Sequence, residues 1–161
     1  MRFLFFCAST VCLVLLITSM ILFITGCDDN DHEKHTDSDG FVLEDKSGSQ
    51  VYREFKGDTE GTITLSIGDT LELSVYFLDH KENEIEHEDD EEDEDQLLIF
   101  DNDASIAFVE PVVHEEGDEG HHEMEIHVIG VGAGSTSFKL ELRHDGHADY
   151  TSTNTVPITV N

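Results

Sequence analysis

Apolar and polar residues alternate along most of the chain after its first quarter, and this period of two predicts β-strands. The clearest runs are 70–77, 124–128, 137–142 and 156–160, and shorter ones lie at 41–43, 51–55, 62–66, 97–100 and 105–109. No stretch after residue 27 has the apolar period of 3.6 that a helix would give. Seven to nine short strands in about 120 residues predict an all-β fold, a single two-sheet β-sandwich.

Three segments within this β-rich region resemble bacterial Ig-like domains. They are 67–73 (IGDTLEL), 101–109 (DNDASIAFV) and 128–136 (VIGVGAGST), in the order found in that family. The resemblance implies an Ig-like β-sandwich over 41–161. It implies little about activity, because such modules serve as spacers, adhesive units or binding domains, and a fold does not fix a function.

The N-terminus has the pattern of an export signal. Residues 3–24 are almost wholly apolar, and Arg2 is the one charged residue before Asp28. The following Ile-Thr-Gly-Cys at 24–27 resembles the lipobox of bacterial lipoproteins. That resemblance implies a signal peptide at 1–26, lipidation of Cys27, and a lipid anchor to a membrane of the bacterial cell envelope, on its periplasmic or cell-surface side.

The alternative interpretation of the N-terminus is an uncleaved transmembrane anchor, because 22 apolar residues can span a bilayer of about 30 Å. In both cases the rest of the chain lies outside the cytoplasm. Cys7 and Cys12 lie within the signal and Cys27 would carry the lipid, so the mature chain is predicted to have no disulfide.

The charge of the chain decides which ligands it attracts. It has 37 Asp and Glu against 8 Lys and Arg, a formal net charge of -29. This charge repels phosphate backbones and argues against nucleic-acid binding. Metal ions and basic proteins are attracted instead. Residues 28–40 contain no hydrophobic residue, so 27–40 is predicted to be a flexible acidic tether.

Two acidic segments interrupt the strand pattern, and the first is 79–96. It holds 12 acidic residues, including nine of the ten at 86–95, together with His80 and His87 as weaker metal candidates. Because neighbouring charges lie within a Debye length of about 8 Å, the metal-free segment is expected to be extended. It can be a solvated run that serves solubility, or it can bind Ca²⁺ loosely through carboxylate oxygens.

The second acidic segment is rich in histidine. Residues 114–127 hold four His and six acidic residues, and imidazole selects Zn²⁺, Cu²⁺ or Ni²⁺ over Ca²⁺. Its predicted metal ligands are His121, His122 and His127, with His114 as a weaker candidate. The alternative is that these are incidental histidines on the protein surface.

A third cluster follows the strand at 137–142. An Asp-Gly turn at 145–146 can bring His144 and His147 together, with Asp149 as an oxygen ligand. Alternatively, His144 continues the inward face of the strand and caps the core. If the loop ends meet, His121, His122, His144 and His147 would form one metal site at one end of the sandwich.

These patterns leave two functions open. The first is binding of a divalent transition metal, zinc before copper or nickel, for capture, buffering or hand-over to an envelope uptake protein. The alternative is a non-catalytic structural or adhesive module whose acidic segments bind a basic protein or calcium. We predict no enzyme, because the mature chain has no free thiol and no G-x-S-x-G elbow.

Overall fold

A computed structural model describes residues 38–85, 96–112, 124–144 and 146–161. The chain divides into two units, Met1–Lys34 and His35–Asn161, and every described residue belongs to the second. Within the described ranges the regular structure is entirely β, and no helix there is long and apolar enough to cross a membrane. The predicted signal peptide and Cys27 lie outside these ranges.

The described residues form eleven strands in two sheets. The strands are β1 (Gly40–Asp45), β2 (Gln50–Phe55), β3 (Asp58–Gly61), β4 (Ile63–Leu65), β5 (Thr70–Leu78), β6 (Gln96–Phe100), β7 (Ala107–Pro111), β8 (Met124–Gly130), β9 (Gly134–His144), β10 (His147–Thr151) and β11 (Val156–Val160). The larger sheet has the order β3-β2-β1-β5-β8-β7. The smaller has the order β10-β9-β11-β4, with β6 also pairing with β9. The predicted all-β, two-sheet sandwich is confirmed.

All nine predicted strands are present, and two further strands were not predicted. β3 has four exposed residues and carries no apolar alternation, so its sequence gives no strand signal. β10 buries one residue, Tyr150, and follows directly on the turn that the His-Asp-Gly-His sequence predicts. Both are short partners of longer strands, β2 and β9, and pairing with those strands defines them.

The core is built from the inward faces that the alternation predicts. Leu73, Val75 and Phe77 of β5 are buried, as are the alternate residues of β8, β9 and β11. Leu71 and Met124, the first residues of their predicted apolar sets, are only half-buried because each lies near the start of its strand. The hydrophobic effect over these faces is the main force that joins the two sheets.

A buried carboxylate links the two sheets. Glu54 lies beside Tyr52 on the inward face of β2 and is 1% exposed. Its side chain accepts hydrogen bonds from the Tyr150 hydroxyl at 2.8 Å, from the Thr153 amide at 2.7 Å and from the Asn154 amide at 2.8 Å. A buried carboxylate is tolerated where such donors replace water, so Glu54 fixes the chain after β10 against the opposite sheet.

The aromatic rings around Glu54 close the core at this end. The Tyr150 ring packs edge-on against Phe41 and Phe77, with ring centroids 6.0 and 5.8 Å apart. Burial, aided by the hydrogen bond to Glu54, raises the pKa of Tyr150, and burial with the Glu54 charge raises the pKa of Tyr52 to about 12. Both phenols therefore stay neutral and donate hydrogen bonds at physiological pH.

Replacing Glu54 tests this link. Glu54→Ala leaves three donors without their acceptor, and we expect a loss of about 3 kcal/mol in the free energy of unfolding. Tyr150→Phe removes one of the three hydrogen bonds and should cost about 1 kcal/mol. Urea denaturation measures both values. Glu60→Ala, in the exposed strand β3, is the control and should change stability by less than about 0.5 kcal/mol; an equally small effect of Glu54→Ala would contradict the proposed link.

Candidate functional site

The path of β8 and β9 defines the two ends of the sandwich. Only residues 131–133 join these strands, so Gly130 and Gly134 lie at one end while Met124 and His144 lie at the other. At the first end, Gly130 exchanges backbone hydrogen bonds with the 68–69 turn. A Cβ at Gly130 would lie 2.4 Å from the Ser66 carbonyl oxygen, so this close approach requires glycine.

The opposite end is where the acidic segments join the described domain. Through the packing of Tyr150 on Phe77, the last residues of β9 lie beside the last residues of β5. The flanks of the segments pair with neighbouring strands here: Asp39 with Leu78, Ile85 with Phe77, Gln96 with Arg143, Val112 with Glu125, and Met124 with Val75. We call this the acidic end. Residues 86–95, residues 113–123 and the chain before Ser38 are all attached to it.

His144 and His147 are brought together at the acidic end. They are direct partners in the register of the β9–β10 hairpin, on either side of the predicted turn. His147 is exposed and His144 is half-buried. Direct partners in an antiparallel pair share a face, and His144 lies two residues beyond buried Leu142. The geometry thus unites the two interpretations of His144: it continues the core-facing side, and it faces His147.

Neither Asp149 nor His127 is a register partner of these two histidines. Asp149 is half-buried in β10, at the point where the register with β9 shifts. His127 lies on the outer face of the larger sheet, between Glu72 of β5 and Glu110 of β7. Its Nδ1 is 4.0 Å from Glu110 Oε1. The structure therefore separates His127 from the His144–His147 pair.

Of the five remaining histidine candidates, one is described by the structure and four lie outside the described residues. His80 is exposed in the turn after β5, and its carbonyl oxygen accepts a hydrogen bond from Lys56 Nζ at 2.9 Å. His87, His114, His121 and His122 lie outside the described residues. Within the described ranges, no group of three or more His, Cys, Asp or Glu is arranged to hold a metal ion. The four-histidine site stays a prediction, although Met124 and His144, which flank its two halves, lie at the same end.

The first part of the 79–96 segment is compact, which corrects the expectation of an extended chain for residues 79–85. Asp79 accepts hydrogen bonds from the Lys81 amide at 2.7 Å and from the Asn83 amide at 2.9 Å. Hydrogen bonds from Asn83, through its side chain and its amide, lower the pKa of Asp79. Glu84 bridges back to Leu78. The local Asx-type turn outweighs charge repulsion here because the acidic residues of this part alternate with His80, Lys81 and Asn83.

Four of the six basic side chains among the described residues are paired with carboxylates of the same domain. Arg53 contacts Glu82 at 2.8 Å, Lys56 contacts Asp39 at 3.5 Å, Arg143 contacts Glu141 at 2.5 Å, and Lys46 pairs with Glu72. Hydrogen bonds from the basic partners lower the pKa of Glu72 and of Glu141. Residues 86–95 and 113–123 contain no Lys or Arg of their own. Neither segment therefore contains a basic residue that could balance its carboxylates.

A basic and aromatic group at the acidic end was missed by sequence analysis. Arg53 and Lys56 lie over the Phe55 ring, at 5.1 and 4.9 Å from its centroid, within the range of cation–π contacts. From there they reach Glu82 and Asp39, and so they hold the turn after β5 and the start of β1 together. The Arg-Glu-Phe-Lys sequence at 53–56 is the available signal, but it does not reveal these distant partners.

Comparisons with known proteins give structural neighbours only. No family model matches the chain, and no curated protein matches it. Among solved structures, it is similar to domains 5–6 of the S-layer protein SbsC, with 18% identity and a TM-score of 0.40, covering 62% of this chain and 39% of that one. Domains 4 and 5 of SbsC match with 14% identity and a TM-score of 0.39, covering 79% and 78%. Neither likeness is close enough to carry a conclusion about function.

Proposed function

We propose that the chain is a non-catalytic module of the bacterial cell envelope that binds a basic surface of a partner protein through its acidic end. The observation that carries this proposal is that both acidic segments, 86–95 and 113–123, join the described strands at the same end of the sandwich. Together they hold 14 acidic residues and no Lys or Arg. Charge concentrated in this way steers a basic partner toward one end of the molecule.

The pairing of charges in the domain supports an external partner. Four of its basic side chains, Lys46, Arg53, Lys56 and Arg143, are engaged by carboxylates of the described residues. Drawing them away to neutralise the acidic segments would break these contacts and gain nothing in net charge. A basic protein surface supplies the missing positive charge at no such cost, and it gains from the release of mutual repulsion among the carboxylates.

Binding of a decalysine peptide to the full chain tests the proposal. We expect binding that weakens as salt is added, because exposed charges are screened. Neutralising Asp89, Asp90, Glu91 and Glu92 to Asn and Gln should weaken it by about tenfold or more, since four exposed pairs at about 0.5 kcal/mol each sum to about 2 kcal/mol. Isothermal titration calorimetry measures the affinity.

A matched control removes the same number of charges elsewhere. It uses four residues toward the opposite end of the sandwich: Glu44 near the end of β1, Asp69 in the turn beside Gly130, and Asp101 and Asp103 after β6. Neutralising these four should change peptide affinity much less than the 89–92 variant does. Equal losses in the two variants would mean that the peptide senses only net charge, and the acidic end would then have no special role.

The lipid anchor is proposed on the lipobox resemblance at 24–27. The tether from Cys27 to Ser38 reaches about 40 Å when fully extended. A partner bound by the domain would then be held within reach of the bilayer.

Cys27→Ser tests the anchor. If Cys27 is lipidated, the wild-type protein should incorporate labelled palmitate and partition into the detergent phase, and the variant should do neither, because it lacks the acceptor thiol. Cys12→Ser, within the predicted signal, is the control and should leave labelling unchanged. Labelling of the Cys27→Ser protein at the wild-type level would rule out this anchor.

The second candidate function is binding of divalent transition metals, zinc first, for capture, buffering or hand-over at the envelope. The observation that favours it is the presence of the His144–His147 hairpin at the same end as the flanks of the histidine-rich segment. The acidic residues would collect cations, and the histidines would select Zn²⁺, Cu²⁺ or Ni²⁺.

Thermal unfolding of the full chain with added ions tests this second function. A metal at a hundred times its dissociation constant, bound by the folded state alone, stabilises by about 2.7 kcal/mol. We expect such a shift with Zn²⁺ or Cu²⁺, and we expect its loss when His121, His122, His144 and His147 are all replaced by Ala. A larger shift with Ca²⁺ than with Zn²⁺ would point to carboxylate binding and against histidine ligands.

A further inference from the structure

The hairpin between β9 and β10 places two imidazoles opposite each other. His144 and His147 are register partners, so their side chains lie on the same face with Cβ atoms about 4.5–5.5 Å apart. Gly146 has a φ of 76°, the left-handed conformation that a tight turn between the two strands requires. The turn thus fixes the separation of the two histidines through the backbone.

We propose that His144 and His147 form a two-ligand site for a transition metal ion, with Cu²⁺ bound more tightly than Ni²⁺ or Zn²⁺. Two imidazole nitrogens at about 2.0–2.1 Å from one ion fit the span between cross-strand partners. The order of metals follows from the general preference of nitrogen sites for Cu²⁺. The proposal deepens the second candidate function by naming its ligands, and water completes the coordination.

The hairpin is held in place on its side toward the domain. Leu142 and Tyr150 form a buried register pair next to the histidines, and the Tyr150 hydroxyl donates to Glu54. On the outer face, Glu141 accepts hydrogen bonds from Arg143 Nε at 2.5 Å and from Thr151 Oγ1 at 3.0 Å. Ligands held in this way lose little conformational entropy when a metal binds.

His127 is less suited to bind a metal ion than His144 is. The direct cross-strand neighbours of His127 are Glu72 and Glu110, and Glu72 is already paired with Lys46. An ammonium group beside the site opposes a metal cation. At the hairpin the direct neighbour of His144 is a second imidazole, which is a ligand that Cu²⁺, Ni²⁺ and Zn²⁺ all accept. A pair is also compatible with the finding that the described residues contain no arranged group of three or more ligands.

A Cu²⁺ titration tests the site. The full chain is prepared with His32, His35, His87, His114, His121 and His122 replaced by Asn, so that His80, His127, His144 and His147 remain. Electron paramagnetic resonance counts the nitrogens bound to Cu²⁺, and competition with a chelator gives the affinity. We expect two imidazole nitrogens, and we expect His147→Ala in this background to lose one of them and at least about tenfold in affinity.

Matched variants make the outcome decisive. His127→Ala in the same background should change neither the nitrogen count nor the affinity. His147 is exposed, so its replacement should leave the fold intact, which far-ultraviolet circular dichroism checks. If His144→Ala is poorly folded, His147→Ala alone carries the test. Equal Cu²⁺ binding before and after His147→Ala overturns the site.

The wild-type chain separates failure of the site from failure of the function. If wild type binds Cu²⁺ and the reduced-histidine background does not, the hairpin is not a site, and the second candidate function stands with its ligands elsewhere. If neither protein binds Cu²⁺, Ni²⁺ or Zn²⁺, the site and the second candidate function both fail. If the background binds Cu²⁺ with two nitrogens and loses one with His147→Ala, both are supported.

Discussion

The contact on which most of this structure depends is the one between Glu54 and the chain around Tyr150. It joins an inward residue of the larger sheet to the hydroxyl and backbone amides that follow β10 in the smaller one. Without it, three donors and a carboxylate would be buried without partners, at a cost of several kcal/mol. With it, the Tyr150 ring can close the core against Phe41 and Phe77. The hairpin of His144 and His147 is positioned by that closure.

The location of the acidic residues explains how so acidic a chain can fold. The buried faces of the strands carry mostly apolar side chains, and Glu54 is the one buried acidic residue among those described. The other carboxylates of the described residues are exposed or half-buried, and several of them are paired with Lys or Arg. The densest runs of acidic residues are in segments 86–95 and 113–123, which join the described strands at the acidic end. Because these runs fall between the described strands in sequence, their charge is not carried by the residues that form the core.

The apolar period of two in the sequence was sufficient to predict nine of the strands and the two-sheet fold. Burial of one face of a strand requires an apolar residue at about every second position. The period was not sufficient for β3, whose four residues are all exposed, or for β10, which is defined by pairing with β9. Glu54 shows a further limit. Its parity with Tyr52 places it on the inward face, but a glutamate is read as a surface residue unless its donors are known, and those donors lie about a hundred residues away in the chain.

The candidate site was predictable only where local sequence determines the geometry. The His-Asp-Gly-His sequence specifies a turn locally, and local geometry alone brings His144 and His147 together. His127 could not be assigned in this way, because its neighbours Glu72 and Glu110 come from strands far apart in sequence. The ends of β8 and β9 lie together because only three residues join the two strands at the other end. The short 131–133 connection thus places the end of segment 113–123 and the 144–147 hairpin at the same end of the sandwich. We therefore expect cations, whether basic side chains or metal ions, to bind at this end.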